Sequence, residues 1–315
     1  MSSQALVELA LKTLTCSQKA LAEHLGVSPA QVSKWKKGEY MSDDMEKKMR
    51  EISGIKTLDP DLVLLTGSIE NAIKWEQVIH YIAEMARENE ETGCDTEPLT
   101  DPDGLLCIQT LRSLNDMGVT LPETFPSELD VSYDDPDEDF DWDTLDANPH
   151  FSLIYQMYNS LIDVYGFYDA FISELIDENH DELYEVGMEI YSCLLPLAAS
   201  KIDIDKKMAP KFNEFKYRIL TDYERWLPWV KEVAFRKGYP LKAELLKLVY
   251  SPHDGLGVEA ETENLGVNKS RLHPDVYMNE LLVGMRAIHQ VLPVIMKKLG
   301  MEGEFGLDIT DLHIK

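Results

Sequence analysis

The chain has 315 residues, with 30 Lys and Arg against 57 Asp and Glu, a formal net charge of −27 at pH 7, and 44% hydrophobic residues. The apolar share suffices for packed cores and excludes disorder throughout, while the charge excludes general attraction to a phosphate backbone. The opening Met1-Ser2-Ser3-Gln4 shows no leader pattern, and the most apolar later stretch, Tyr184 to Ile202, is interrupted by Glu185 and Glu189. The expectation is therefore a cytoplasmic protein with no membrane segment. Cys16, Cys94, Cys107 and Cys193 form no CxxC pair, so they read as reduced thiols and not as a disulfide framework or a zinc ribbon.

Charge is distributed unevenly. Residues 1–56 hold nine Lys or Arg and seven acids, whereas the remainder holds 21 basic and 50 acidic residues, a net of −29. Only the N-terminal segment can approach nucleic acid without strong repulsion. That segment reads as consecutive short helices. Leu6, Leu9, Ala10, Thr13 and Leu14 give the first a helical stripe. Ser17 caps a second that Gly26 ends, and Ser28-Pro29-Ala30-Gln31 supplies a cap, a proline at the first helical position and a glutamine three residues on. Gly38 closes the third helix, and Ser42-Asp43-Asp44 opens a fourth with Met45, Met49 and Ile52 on one face.

Helical spacing continues through residues 57–121, read as a connecting region: a short piece after Asp59-Pro60, a helix from Ser68 with Trp75, Val78, Ile79, Ile82, Met85 and Ala86 in step, and another from about Asp103 to Met117. Between Pro122 and His150 there are eleven acids and no Lys or Arg, so residues 122–147 read as an acidic, solvated linker. Its aromatics, Phe125, Tyr133, Phe140 and Trp142, leave room for contact with a basic protein partner or the transcription machinery. Residues 148–315 read as an α-helical C-terminal domain. Phe151, Ile154, Tyr155, Tyr158, Leu161, Ile162 and Tyr165 form one long buried face, which is expected to be core although such a body can enclose an effector. An aromatic-rich helix follows from Phe212 to Trp229. Leu281, Leu282, Met285, Ile288, His289, Leu292, Ile295, Met296 and Leu299 form a last buried face, with a kink at Pro293, a stop at Gly300 and His289 as a hydrogen-bonded core residue. Asp254 to Ser270 lacks helical period and reads as a loop or small β-hairpin. The fold class expected is all-α, with a small helical head at 1–56.

With Val32 at the origin of a wheel of about 100° per residue, Trp35 joins it on the core face and Ala30, Ser33, Lys34 and Lys37 take the opposite face. A small, basic surface on a capped helix suits the major groove. Gln18 and Lys19 begin the preceding helix, where free backbone amides favour a phosphate. Ser17-Gln18, Leu21-Ala22, Leu25-Gly26-Val27-Ser28, Val32-Ser33-Lys34-Trp35 and Gly38 resemble the helix-turn-helix of the phage repressor and Cro family, also called the xenobiotic-response-element family, over about residues 4–54. The resemblance implies that Ala22 packs against the second helix of the pair, that Gly26-Val27 sets the crossing, and that the second helix reads double-stranded DNA. It implies that Ser28, Ala30, Ser33 and Lys34 approach base edges and that Gln18 holds a phosphate. Pro29 and Ala30 stand where many relatives carry hydrogen-bonding side chains, which shifts the expectation toward shape readout. Members of this family bind paired half-sites as two-fold dimers, so a homodimer built through the helical body is expected.

No catalytic, cofactor or metal constellation emerges. None of the eight histidines lies in an HExxH spacing, Ser251-Pro252-His253-Asp254-Gly255 reads as a turn because adjacent residues seldom form a triad, and Gly255-Leu256-Gly257 does not complete a dinucleotide loop. The expectation is a non-enzymatic, sequence-specific DNA-binding regulator. The alternative is an antitoxin-like or mobile-element protein whose acidic body binds a partner while the head only autoregulates.

Overall fold

The computed structural model describes residues 3–133, 142–238, 245–266 and 274–300. Every regular element among them is helical, so the all-α class expected from periodicity holds. The first four helices are α1 (Ser3–Leu14), α2 (Gln18–Leu25), α3 (Pro29–Trp35) and α4 (Asp43–Ser53). They gather Leu6, Val7, Ala10, Leu21, Ala22, Val32 and Met49 into a core with almost no exposure. Next comes α5 (Pro60–Thr66), started by Asp59, whose carboxylate accepts from the amides of Asp61 and Leu62. This short helix packs against α1 on one side and against α6 (Ile69–Glu88) and α7 (Leu106–Met117) on the other. One continuous hydrophobic cluster consequently runs from Leu6 to Leu256.

After a five-residue helix α8 (Trp142–Asp146), the spine of the body is α9 (Pro149–Tyr168). Asn148 caps it, accepting from the amides of His150 and Phe151, with Pro149 in the first helical position. Thirteen of its twenty residues are buried, so it requires cover on nearly every side. Two of its buried residues pair their hydroxyls across the packing: Tyr158 Oη lies 2.7 Å from Thr110 Oγ1 of α7, and Ser160 donates to the Ala198 carbonyl at 2.9 Å. The helix passes into a π-helical turn at Asp169–Ser173 and then α10 (Glu174–Glu178), α11 (His180–Ser192) and α12 (Leu194–Ala199), the last lying on α9. The aromatic-rich helix is longer than its sequence pattern suggested: α13 spans Phe212–Lys237 with Pro228 inside it. The described chain ends with α14 (Lys247–Tyr250), α15 (His253–Asn264) and α16 (Pro274–Leu299).

Three sequence expectations are corrected. The stretch read as a loop or hairpin from Asp254 is helix through Asn264, and the Ser251–Gly255 segment read as a turn opens it; residues 267–270 lie outside the described residues. The reason is close approach: a Cβ on Gly257 would collide with the Asp163 carboxylate, so α15 lies against α9 through a missing side chain and not through an apolar stripe. The first part of the acidic segment is packed. Phe125 meets Trp75 edge-on with centroids 5.3 Å apart, Tyr133 lies 4.7 Å from Tyr81, and Leu129 is buried. Phe140 and the acids Asp134, Asp135, Asp137, Glu138, Asp139 and Asp141 lie outside the described residues. Finally, α16 forms with Pro293 inside it and Gly300 at φ +71 beyond its end, but its described apolar side chains, from Leu282 on, are not buried in this chain. Ile288 and Leu299 are 62% and 66% exposed, and His289 is exposed, not a core residue. Helical period specifies an apolar stripe and leaves open what covers it.

Candidate nucleic-acid interface

The geometry of α2 and α3 follows from local chemistry. Ser17 is extended and its hydroxyl oxygen accepts from the Ala20 amide at 3.3 Å, starting α2. Gly26 ends it at φ +69, a backbone conformation that disfavours other residues. The Val27 amide then donates to the Ala22 carbonyl at 2.9 Å and the Gly26 amide to Glu23 at 3.3 Å, the bond pair of a Schellman motif. Ser28 accepts from the Gln31 amide at 3.2 Å and Pro29 occupies the first position of α3. The turn between the helices is thus specified by two serines, one glycine and one proline.

Val32 is wholly buried and Trp35 nearly so, which fixes the rotation of α3. Ser28, Ala30, Lys34 and Lys37 face solvent; Ser33 is only half-exposed, because it lies one position round the helix from Val32. Gln18, the first residue of α2, is half-buried and Lys19 is exposed. Of the expected residues, Lys19, Ser28, Ala30, Lys34 and Lys37 are exposed, whereas Gln18 and Ser33 are partly covered. Lys34 Nζ lies 3.7 Å from the Glu39 carboxylate, with both side chains more than half exposed, so the pair is weak and the lysine is available to an external anion.

The end of α3 is held from two directions. Trp35 Nε1 donates to the Tyr40 carbonyl at 3.1 Å, and Ser3 Oγ lies 3.1 Å from the Trp35 carbonyl and 2.8 Å from that of Glu39. On the far side of the head, Arg50 donates to the carbonyls of Lys56 and Leu58 at 3.0 and 2.9 Å, which pins the connection leading into α5. Two surface residues beside α3 were missed by the wheel. Lys36 adds a third exposed cation, and Tyr40 is 82% exposed although aromatic. The signal was an aromatic just past Gly38, outside any helical stripe, where no core position accounts for it.

Among the described residues there is no group of three His, Cys, Asp or Glu side chains placed to hold a metal, and no helix long and apolar enough to cross a membrane. No family model, no curated protein and no solved structure matches the chain.

Proposed function

We propose that this chain is a sequence-specific regulator of repressor and Cro type that reads the major groove of double-stranded DNA with α3. The observation that carries the reading is the orientation of that helix: Val32 and Trp35 face inward, while Ala30 and Lys34 face outward from a Ser28-capped, proline-started N-terminus, with Lys37 exposed in the turn that follows. A head of net charge +2 on a body of −29 concentrates attraction on this one surface and suppresses binding elsewhere. The chemistry is binding and not catalysis: Lys34 and Ser28 meet base edges, Lys37, Lys19 and the first amides of α2 meet phosphates, and Ala30 allows close approach. The protein acts as a homodimer. In α16, Leu281, Met285, Ile288, Leu292, Ile295 and Leu299 recur at alternating intervals of four and three, the spacing of a two-helix seam.

The test is capture and sequencing of genomic fragments at near-physiological salt by the full chain and by a Ser33→Ala, Lys34→Ala variant. A few enriched inverted repeats that are lost in the variant support the reading; no enrichment by either protein refutes it. The partner-binding alternative has less support, because Phe125 and Tyr133, two of the aromatics that suggested it, are partly buried against Trp75 and Tyr81.

A further inference from the structure

A cavity of about 540 Å³ lies where α9, the π-helical turn, α10 and α11 meet the short 3₁₀ turn at Glu97–Thr100. That volume is in the range of small-molecule sites. Tyr165, Tyr168, Tyr184 and Tyr191 line it, and the rings of Tyr165 and Tyr191 stand 6.1 and 6.0 Å from that of Tyr168. Tyr165 and Tyr168 are each only 7% exposed, and neither hydroxyl has a hydrogen-bond partner among the described residues; neither oxygen is fully buried, so both open onto the cavity. Elsewhere in the body the fully buried Tyr158 and Tyr223 are bonded to Thr110 and the Ile190 carbonyl, whereas Thr96 Oγ1 is buried without a partner.

The polar wall is mostly acidic, with His180 its one basic side chain. Glu97, Asp103, Asp169 and Asp177 line the cavity, and no Lys or Arg does. Glu97 accepts from the Tyr191 hydroxyl at 3.0 Å, and none of the four carboxylates makes an ion pair with a described residue. Burial, together with the negative charge of Asp177, Asp169 and Glu97, pushes the Tyr168 phenol up to about 12, so these carboxylates converge on one place. The π turn contributes Asp169 and Ser173 to the wall, a backbone device frequent at functional sites. Gly187 lets α11 close against α10, since a Cβ there would meet Ile176 at 2.5 Å.

From the aromatic wall, the two unpaired phenols and the unneutralised carboxylates, we propose that this cavity binds a small organic cation. Its ammonium centre sits against the Tyr168 and Tyr191 rings among the carboxylates, its N–H or O–H groups bond the Tyr165 and Tyr168 hydroxyls, and its carbon skeleton lies along Tyr184 and Met188. Aromatic rings with nearby carboxylates attract ammonium groups by their quadrupole and by direct charge. This site is independent of how α3 is used.

The test is calorimetric titration of the full chain at near-physiological salt with choline and with spermidine, a quaternary and a polyamine ammonium, beside 3,3-dimethyl-1-butanol, the neutral counterpart of choline. One ammonium compound is expected to bind at one site, at least tenfold more tightly than the neutral alcohol. Asp177→Asn and Tyr168→Phe each weaken it about tenfold, while Glu214→Gln, outside the cavity, leaves it unchanged. Tyr168→Phe keeps the ring, and Asp177 is exposed, so both variants retain the fold by circular dichroism. Binding by neither cation, equal binding of the neutral alcohol, or cation binding that these two variants leave unchanged overturns the proposal; the last outcome would mean diffuse attraction to an acidic surface.

Discussion

His253 Nδ1 lies 2.6 Å from Asp163 Oδ2, and this contact joins the first turn of α15 to the middle of α9 across 90 residues of sequence. The pairing with Asp163 raises the His253 pKa above the ordinary histidine value, while burial and, to a smaller extent, the Lys201 charge oppose it. A raised folded pKa contributes stability that is fully present below about pH 6.5 and is lost as pH climbs through the folded value. His253→Gln is therefore expected to cost about 1–2 kcal/mol at about pH 5.5, and less at about pH 8.5, with both side chains partly solvated. Urea denaturation of both proteins at the two pH values measures this; a cost that grows with pH contradicts the assignment.

Two glycines of the same helix should behave oppositely. Gly257→Ala forces a Cβ into the Asp163 carboxylate and is expected to destabilise by about 1–3 kcal/mol. At Gly255 a Cβ meets only Pro252 at 3.8 Å, so Gly255→Ala gains up to about 1 kcal/mol from helix propensity. Denaturation midpoints of equal shift in the two variants would mean that α15 does not lie on α9 as described.

Lys201 gives a slope of the other sign. Its ammonium donates to the Val249 and Ser251 carbonyls at 3.0 and 2.7 Å, and burial lowers its pKa to about 7. An unfolded lysine titrates near 10.4, so between about pH 7 and 10 the unfolded chain binds the additional proton and stability rises with pH. The rise is on the order of a few kcal/mol, and Lys201→Met should flatten it. Subtracting the variant's stability from that of the intact protein across this range isolates the contribution; a difference that does not vary with pH removes it.

On DNA, the lysines of the head should separate by role. Lys37→Ala is expected to reduce the slope of log affinity against log salt by about one, with little change in site preference. Lys34→Ala is expected to cost about 1–3 kcal/mol on the best site and to narrow the gap between that site and random DNA. Titrations at several salt concentrations distinguish them, and identical behaviour of the two variants would remove α3 from base contact.

What could be read from the sequence was what depends on neighbours in sequence. Ser17, Gly26, Ser28 and Pro29 determine their own caps and turn, so α2 and α3 were visible from residues alone. α9 was visible because its apolar side chains recur with helical period. α15 was not, because the sequence His253–Asn264 has almost no apolar face and its packing relies on an atom that Gly257 lacks. Neither was the tyrosine-lined cavity, whose wall joins residues from Glu97 to Tyr191 through a π turn that no periodicity announces. The seam of α16 was legible as a stripe, yet exposure is a property of the whole fold, and so its solvent-facing state was not.

Because α5 packs against α1 and also against α6 and α7, the head is joined to the body through a packed helix and not a loose tether. In a dimer, the two copies of α3 would then stand at a set angle as well as a set distance. Helical phase becomes the selective quantity: inserting about five base pairs between half-sites turns one away from its reader, and inserting about ten restores the face at the cost of stretch alone. A flexibly tethered head would tolerate both, so on the proposed function the two insertions separate a packed head from a loose one.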